Sequence, residues 1–350
     1  MSGGVDSSVA AVLLKQQGFE VAGMMLRLWS EPGKEDSNRC CTPDSMALAR
    51  RVAAKLDIPF YVIDAKEIFR KTVVNYFLDG YAAGGTPNPC LMCNRQIRWE
   101  FLLEHALALG ADFMATGHYV RTEKNHDGKI QLLRAVDPLK DQSYILHVLT
   151  QEKLARALFP VGEYPKSEIR KIAAENNLPV ATRHDSQDLC FLAGEDYREF
   201  LKRNSPEILV NGTIVNKAGQ VLGQHSGLPN YTIGQRKGLG ISSPEPLFVI
   251  SKDTITNTLV VGSAEELGTR ELIATGVNWT SNTPFSSPFQ AQVKCRYTGR
   301  EAPAEVIPQD GGEKVRIVFE SMQRDITPGQ AAVFYNGDVV LGGGIIIFTN

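Results

Sequence analysis

The chain has 350 residues, 43% hydrophobic and 22% charged, a size and balance that exclude a disordered chain and predict two or three folded units. Its net charge of −2 argues against a protein that coats nucleic acid, while leaving room for a local basic footprint. No stretch approaches the roughly 20 apolar residues of a helical membrane span and no signal-type leader is visible, so a cytoplasmic location is expected, with six cysteines that are buried, metal-bound or reactive rather than a disulfide framework.

In chain order, residues 6–17 carry a helical apolar pattern through Val9, Val12 and Leu13, and Gly18 stops it before a strand over residues 19–29. Asp44 is the expected cap of a second helix running to about Leu56. "PFYVIDA" reads as a short buried strand, and residues 66–83 as helix. After the glycine-proline loop "GGTPNPCLMC", Asn94 is expected to open a helix to about Leu109, and "ADFMATGHYV" to form the next strand. This alternation predicts an α/β fold with a doubly wound parallel sheet and its ligand at the carboxyl ends of the strands. Beyond about residue 200, short alternating runs take over, with Gly311-Gly312 and Asn336-Gly337 as hairpin turns. The expected division is a catalytic domain over 1–199, a small central linker module over 200–265 and a C-terminal β-barrel over 266–350.

The chain opens on "MSGGVDSSVAAVLL". Here Ser2, Gly3, Gly4, Val5, Asp6, Ser7 and Ser8 form a turn whose glycines let backbone approach an anion and whose following helix aims N–H groups at it. A Walker loop would add a lysine for the β and γ phosphates. Its absence suits release of pyrophosphate better than transfer of a γ-phosphate. An ordinary capped helix start is the alternative that these residues alone leave open.

"SGGVDSS" resembles the pyrophosphate loop of the ATP pyrophosphatase superfamily. Followed in order by "TPNPCLMCN", "ATGHY", "KDQSYIL", "DSQDLCF", "TIGQRKGLG" and "GQAAVFYNGDVVLGGGI", it resembles one family from end to end, the tRNA-specific 2-thiouridylases. The resemblance implies transfer of persulfide sulfur to C2 of the wobble uridine, position 34, through an adenylated intermediate, with release of AMP and pyrophosphate. It implies ATP and Mg²⁺, tRNAs of the Lys, Glu and Gln type, and a cysteine desulfurase or relay protein as sulfur donor. Cys190 would carry the persulfide, and Cys93 would free the sulfur and close a disulfide. Ser2 to Ser8, Leu26 and Gly117 would meet ATP. Asn88, Pro89 and Cys90 would meet the target base, and Lys140, Asp141, Gln142, Arg296 and Tyr297 the rest of the tRNA.

Read by themselves, these positions are less specific. Cys93, placed just before a helix start and near Arg95 and Arg98, has a setting that favours the thiolate. Cys190 beside Phe191 reads as a small buried hydrophobe. Cys90 completes a Cys-x-x-Cys where many relatives carry Asp; Cys40-Cys41 would be needed for a zinc site, and a cluster of iron and sulfur on Cys90, Cys93 and Cys190 is a disfavoured alternative. Cys295 is expected to pack in the barrel, and His118 to be a satisfied structural histidine. Two rival functions remain at this stage, an amide-forming ATP pyrophosphatase and a nonenzymatic tRNA-binding protein with a degenerate loop. A strand of the kind Val-x-Val is also expected ahead of the loop, which would make Met1 an internal methionine of a longer chain.

Overall fold

The computed structural model describes residues 1–34, 42–183, 189–324 and 326–347. Helix α1 (Val5–Gln16) starts after Gly4 and carries Asp6 in its first turn and Lys15 in its last, both favourable to the helix dipole. Its apolar face, with Val5, Val9, Val12 and Leu13, packs on Ile169 and Ala173 of a later helix and on Leu178 and Val180 beyond it. Strand β1 (Gly23–Arg27) is shorter than its apolar run and pairs in parallel with β2 (Phe60–Asp64), from Gly23 opposite Phe60 to Arg27 opposite Asp64. Contrary to expectation, β2 is not buried: it lies at an edge, and Tyr61 is 43% exposed. Helix α2 (Pro43–Lys55) is capped by Thr42, which accepts from the Ser45 amide at 3.0 Å, rather than by Asp44. A proline at N1 makes Thr42 the natural boundary.

Residues 66–82 form one helix, α3, that widens into π turns over Arg70–Val74. The next helix, α4, begins at Pro89 rather than at Asn94, because Asn88 caps it by accepting from the Cys90 amide at 3.1 Å and Pro89 fixes its first turn. It takes π geometry over Cys93–Leu102 before closing as an α-helix over Leu103–Ala108. Cys93 therefore sits one turn inside a helix. The long strand expected after it is broken. Only Met114–Ala115 (β3) forms, and after four further residues β4 (Val120–Lys124) begins, paired with β5 (Ile130–Arg134) as a hairpin.

Strand β3 pairs in parallel with β6 (Ala157–Leu158), so the parallel sheet of the α/β layer is present as two pairs, β1–β2 and β3–β6. Residues from both pairs, among them Met24, Met25, Met114 and Ala115, line one elongated cleft of about 600 Å³. Helix α5 (Lys166–Glu175) backs α1, and α6 (Tyr197–Asn204) closes this part of the chain over Phe69, Phe77 and Phe191.

Strands β7 (Gly212–Asn216), β8 (Val221–His225), β9 (Phe248–Asp253) and β10 (Thr258–Gly262) make a four-stranded sheet ordered β8-β7-β10-β9 over a core of Ile214, Val249, Leu259 and Val261. Six further strands close a barrel: β11 (Thr269–Trp279), β12 (Phe289–Lys294), β13 (Glu301–Gln309), β14 (Lys314–Gln323), β15 (Ala331–Asn336) and β16 (Val339–Ile347). Pairing of β11 with both β14 and β16 completes the ring. The β4–β5 hairpin joins this sheet through Val339 opposite Leu133 and Val340 opposite Leu132.

The segment around residues 132–146 and the last barrel strands consequently share one core. Leu132, Tyr144 and Leu146 pack with Ala331, Val333, Tyr335 and Val340. Buried Tyr144 holds the seam together: its hydroxyl donates to the Ala331 carbonyl at 2.9 Å and accepts from the Ala331 amide at 3.0 Å. Tyr144→Phe would strand both backbone groups, and we expect a loss of about 1–3 kcal/mol of stability. Urea denaturation of wild type and variant, followed by tryptophan fluorescence, measures this.

Candidate active site

The glycine loop is seated by contacts that leave no room for side chains. Gly3 has φ +70°, and a Cβ there would lie 2.3 Å from the Ser45 carbonyl oxygen of α2. Gly117, just past β3, packs on the loop from the other side; its Cβ would lie 2.6 Å from the Ser7 amide nitrogen. The close approach that requires Gly117 is thus to the loop itself. Gly4 is different, with only the Ser2 hydroxyl, 3.4 Å away, near its would-be Cβ. Gly4 is thus the one of the three with room beside it for a close approach.

Within the loop, Ser2 and Ser7 face each other, the Ser7 hydroxyl accepting from the Ser2 amide at 3.1 Å. Ser8 is buried and donates to the Gly4 carbonyl at 2.8 Å, and Val5 is core. Their side chains build the turn rather than its binding face. Asp6 is engaged twice on one oxygen, by Lys166 Nζ at 2.6 Å and by the Tyr119 hydroxyl at 2.7 Å. Arg183 donates to the Gly3 carbonyl at 2.8 Å and to the Ser45 hydroxyl at 2.7 Å. Two cations, Lys166 and Arg183, therefore brace the loop from far along the chain, and sequence reading found neither.

The cleft between the parallel pairs reaches this loop. Ser2, Ser7, Leu26, Gly117, Cys93 and Arg98 all line it. Leu26 and Gly117 lie at or just past the carboxyl ends of β1 and β3, where an α/β sheet binds its ligand. His118 is buried, hydrogen-bonded through Nδ1 to Thr116 Oγ1 at 2.9 Å, and burial pushes its pKa well below the ordinary value. It is a neutral structural histidine.

Cys93 and Cys190 are both half-buried, and both pack on the aromatic cluster of Phe69, Phe77, Phe191 and Phe200. Cys190 opens a short turn, Cys190–Leu192, that ends at Ala193 in the left-handed conformation. Arg203 fixes the segment beyond it, donating to both Glu31 carboxylate oxygens at 2.8 Å and to Glu195 at 2.6 Å. Cys90 is a third half-buried cysteine, at the start of α4. Residues 185–188 of "DSQDLCF" and the Cys40-Cys41 pair lie outside the described residues. Cys295, just past β12, packs on the barrel core, and burial pushes its thiol up to about 12.

The proposed RNA-contacting positions converge on the seam between α/β layer and barrel, though several carry structural work. Asn88 caps α4 and Pro89 is buried. Asp141 accepts from the Ala135 amide at 3.0 Å and from the Ser143 hydroxyl at 2.7 Å. Gln142 accepts from the Tyr119 amide at 2.9 Å. Lys140 occupies the preceding turn. Arg296 is likewise not a free strand end: it donates to the Ile233 carbonyl at 3.1 Å and to Thr327 Oγ1. Tyr297 is 38% exposed. The barrel turn after Thr327 docks on the loop before α4, with the Thr86 amide donating to the Pro328 carbonyl at 2.8 Å and Gln330 to the Thr86 carbonyl at 2.7 Å.

Comparison with known proteins accounts for all three parts. Family models described as a tRNA methyl transferase HUP domain, a tRNA methyl transferase PRC-barrel domain and an aminomethyltransferase beta-barrel domain match residues 1–194, 198–263 and 269–346. A tRNA-specific 2-thiouridylase MnmA of Geotalea uraniireducens is 47% identical over 353 residues, 99% of this chain and 93% of that protein. The proteins of that name from Clostridioides difficile and Chloroflexus aggregans are 45% and 47% identical over 348 residues, 99% of this chain and 96% of each. The chain belongs to the tRNA-specific 2-thiouridylase family. Its HUP domain is the kind that uses ATP.

For a thiouridylase, the fit of a metal matters. Among the described residues no group of three His, Cys, Asp or Glu side chains could hold a metal ion, which leaves a cluster on Cys90, Cys93 and Cys190 without support. The loop's one carboxylate, Asp6, already holds Lys166 and Tyr119. That arrangement fits Mg²⁺ only as an ion carried in on a triphosphate, with most of its ligands water and phosphate.

The two glycines make opposite predictions. Gly3→Val should destabilise the protein by at least about 1–3 kcal/mol, from backbone strain and the clash with α2. Gly4→Val should keep its melting temperature while ATP affinity falls at least about tenfold, since the side chain fills the ligand's approach. Thermal melts and ATP titration of both variants check this.

Proposed function

We propose that this enzyme transfers sulfur to C2 of the wobble uridine of tRNA, using ATP to activate the base. The observation that carries the reading is that Cys93 lines the same cleft as Ser2, Ser7 and Gly117 while sharing its aromatic support with Cys190. A phosphate-binding loop and one thiol thus face one volume, with the second thiol on the same aromatic support, as an adenylating sulfurtransferase needs and an amide-forming pyrophosphatase does not.

In the proposed sequence the loop backbone at Gly4 and the first turn of α1 receive the phosphates, with Arg183 and Lys166 keeping that backbone in place. Uridine O2 attacks the α-phosphorus and pyrophosphate leaves. When bound, Mg²⁺ would neutralise charge on the departing phosphates. The terminal sulfur of a Cys190 persulfide then attacks C2, and the C–O bond to AMP breaks. Cys93 thiolate attacks Cys190 Sγ, the S–S bond to the transferred sulfur breaks, and that sulfur remains on C2 as the thione. A Cys93–Cys190 disulfide is left, and a thiol reductant must return two electrons before the next cycle. A cysteine desulfurase or relay protein reloads Cys190. The tRNAs of the Lys, Glu and Gln type, and a cytoplasmic site of action, belong to the same reading.

The test is incubation of unmodified tRNA with the protein, ATP and a persulfide source, followed by nucleoside mass spectrometry. We expect 2-thiouridine from wild type. Cys190→Ser should lose both persulfide loading and thiolation, whereas Cys93→Ser should load sulfur, seen as one added sulfur by intact mass, without delivering it. A Cys190→Ser protein that still thiolates tRNA would overturn the assignment.

A further inference from the structure

A second cleft, of about 1060 Å³, lies between α6, the turn over residues 230–238 of the central module and Arg296 of the barrel. Four of its lining side chains, Arg198, Lys202, Lys237 and Arg296, are cationic, and Glu199 is the one carboxylate in the lining. In a chain whose net charge is −2, this is a local concentration of positive charge. The two arginines are held in place. Arg198 donates to the Asn230 carbonyl at 3.1 Å and to Asp196 at 3.2 Å, and Arg296 is tied to Ile233 and Thr327. Lys202 and Lys237 are exposed, and no ion pair to either is found among the described residues.

The cleft also adjoins the thiol site. Arg296 bonds Thr327; the next residue, Pro328, accepts from Thr86; and Thr86 stands two residues before the cap of the cysteine helix. Tyr297 follows Arg296 and lies near Cys90 and Asp141. A polyanion whose base enters at the cysteines would leave the site along Arg296 and into this cleft. Its cations are spread along an open trough shared by three parts of the fold, which suits a run of phosphates better than a single anion.

We propose that this cleft holds the sugar-phosphate backbone of the tRNA, with Lys202 and Lys237 as its mobile phosphate contacts and Arg198 and Arg296 as its fixed ones. The proposal rests on the reading that the chain acts on tRNA. Neither "TIGQRKGLG" nor α6 has a role in the chemistry described above, and this gives both one.

The full-length protein and an unmodified tRNA transcript provide the test, with dissociation constants measured between about 50 and 300 mM salt for wild type and for Lys202→Ala/Lys237→Ala. Each phosphate contact contributes about 0.7–0.9 to the slope of log K against log salt, so the double variant should lose about 1–2 in slope and roughly tenfold in affinity near physiological salt. ATP affinity and melting temperature should not change, since both lysines are exposed and away from the loop. A Lys171→Ala/Lys217→Ala variant controls for general surface charge. A steep wild-type slope left unaltered in the cleft variant overturns the cleft assignment and leaves the function standing. A wild-type protein that binds no tRNA at any salt overturns both. An unaltered slope with impaired loading from a cysteine desulfurase would overturn it in favour of a docking surface for the sulfur donor.

Discussion

The structure depends on the absence of two side chains. With Gly3 pressed on the Ser45 carbonyl and Gly117 on the Ser7 amide, the opening loop is held between α2 and the end of β3 at distances no Cβ tolerates. Everything downstream uses that position: α1 borders the cleft through Ser7, Ala10, Ala11 and Leu14, Asp6 reaches Lys166 and Tyr119, and Gly4 is left with only the Ser2 hydroxyl near its would-be Cβ. A loop lacking the Walker lysine is thus braced by cations that arrive through tertiary structure, and they grip its carbonyl and carboxylate rather than reach across for the nucleotide.

Much of this was legible from local chemistry. The βα alternation gives the α/β layer, and Gly311-Gly312 and Asn336-Gly337 do join β13 to β14 and β15 to β16, with Gly311, Gly312 and Gly337 at positive φ. The cap at Asn88-Pro89 was present in the sequence as a standard signal, masked by the glycine-proline run around it. Lys166 and Arg183 were not legible, because they meet the loop across 160 and 180 residues of chain and carry no motif. Nor was the allegiance of the β4–β5 hairpin. Its alternation says strand, and only the β16 edge says which sheet.

Electrostatics separates the Cys190 segment from the cationic cleft beside Arg296. Near Cys190 the charges are paired: Arg203 holds Glu31 and Glu195, and that hydrogen bonding keeps the Glu31 carboxyl below its usual range. Glu31 therefore supports the fold at neutral pH and ceases to as the pH falls through its depressed value. In the cleft beyond Arg296, by contrast, the two lysines face solvent. Cys93, one turn inside α4 where the helix widens to π geometry, owes less to a helix terminus than its sequence neighbours imply. Wider turns of this kind often mark functional positions.

The hairpin lent to the barrel has a mechanical consequence. Gly117 touches the loop, Tyr119 holds Asp6, and Val120 is already the first residue of β4 in the barrel sheet. Force applied to the barrel sheet at β4 is therefore delivered to the glycine loop through a tether three peptide bonds long. The barrel and the adenylating layer are geared together, and any rocking of one against the other must be absorbed within residues 116–119 or turn the loop with it. A displacement of the barrel sheet at β4 and a displacement of the loop are therefore coupled through residues 117–120.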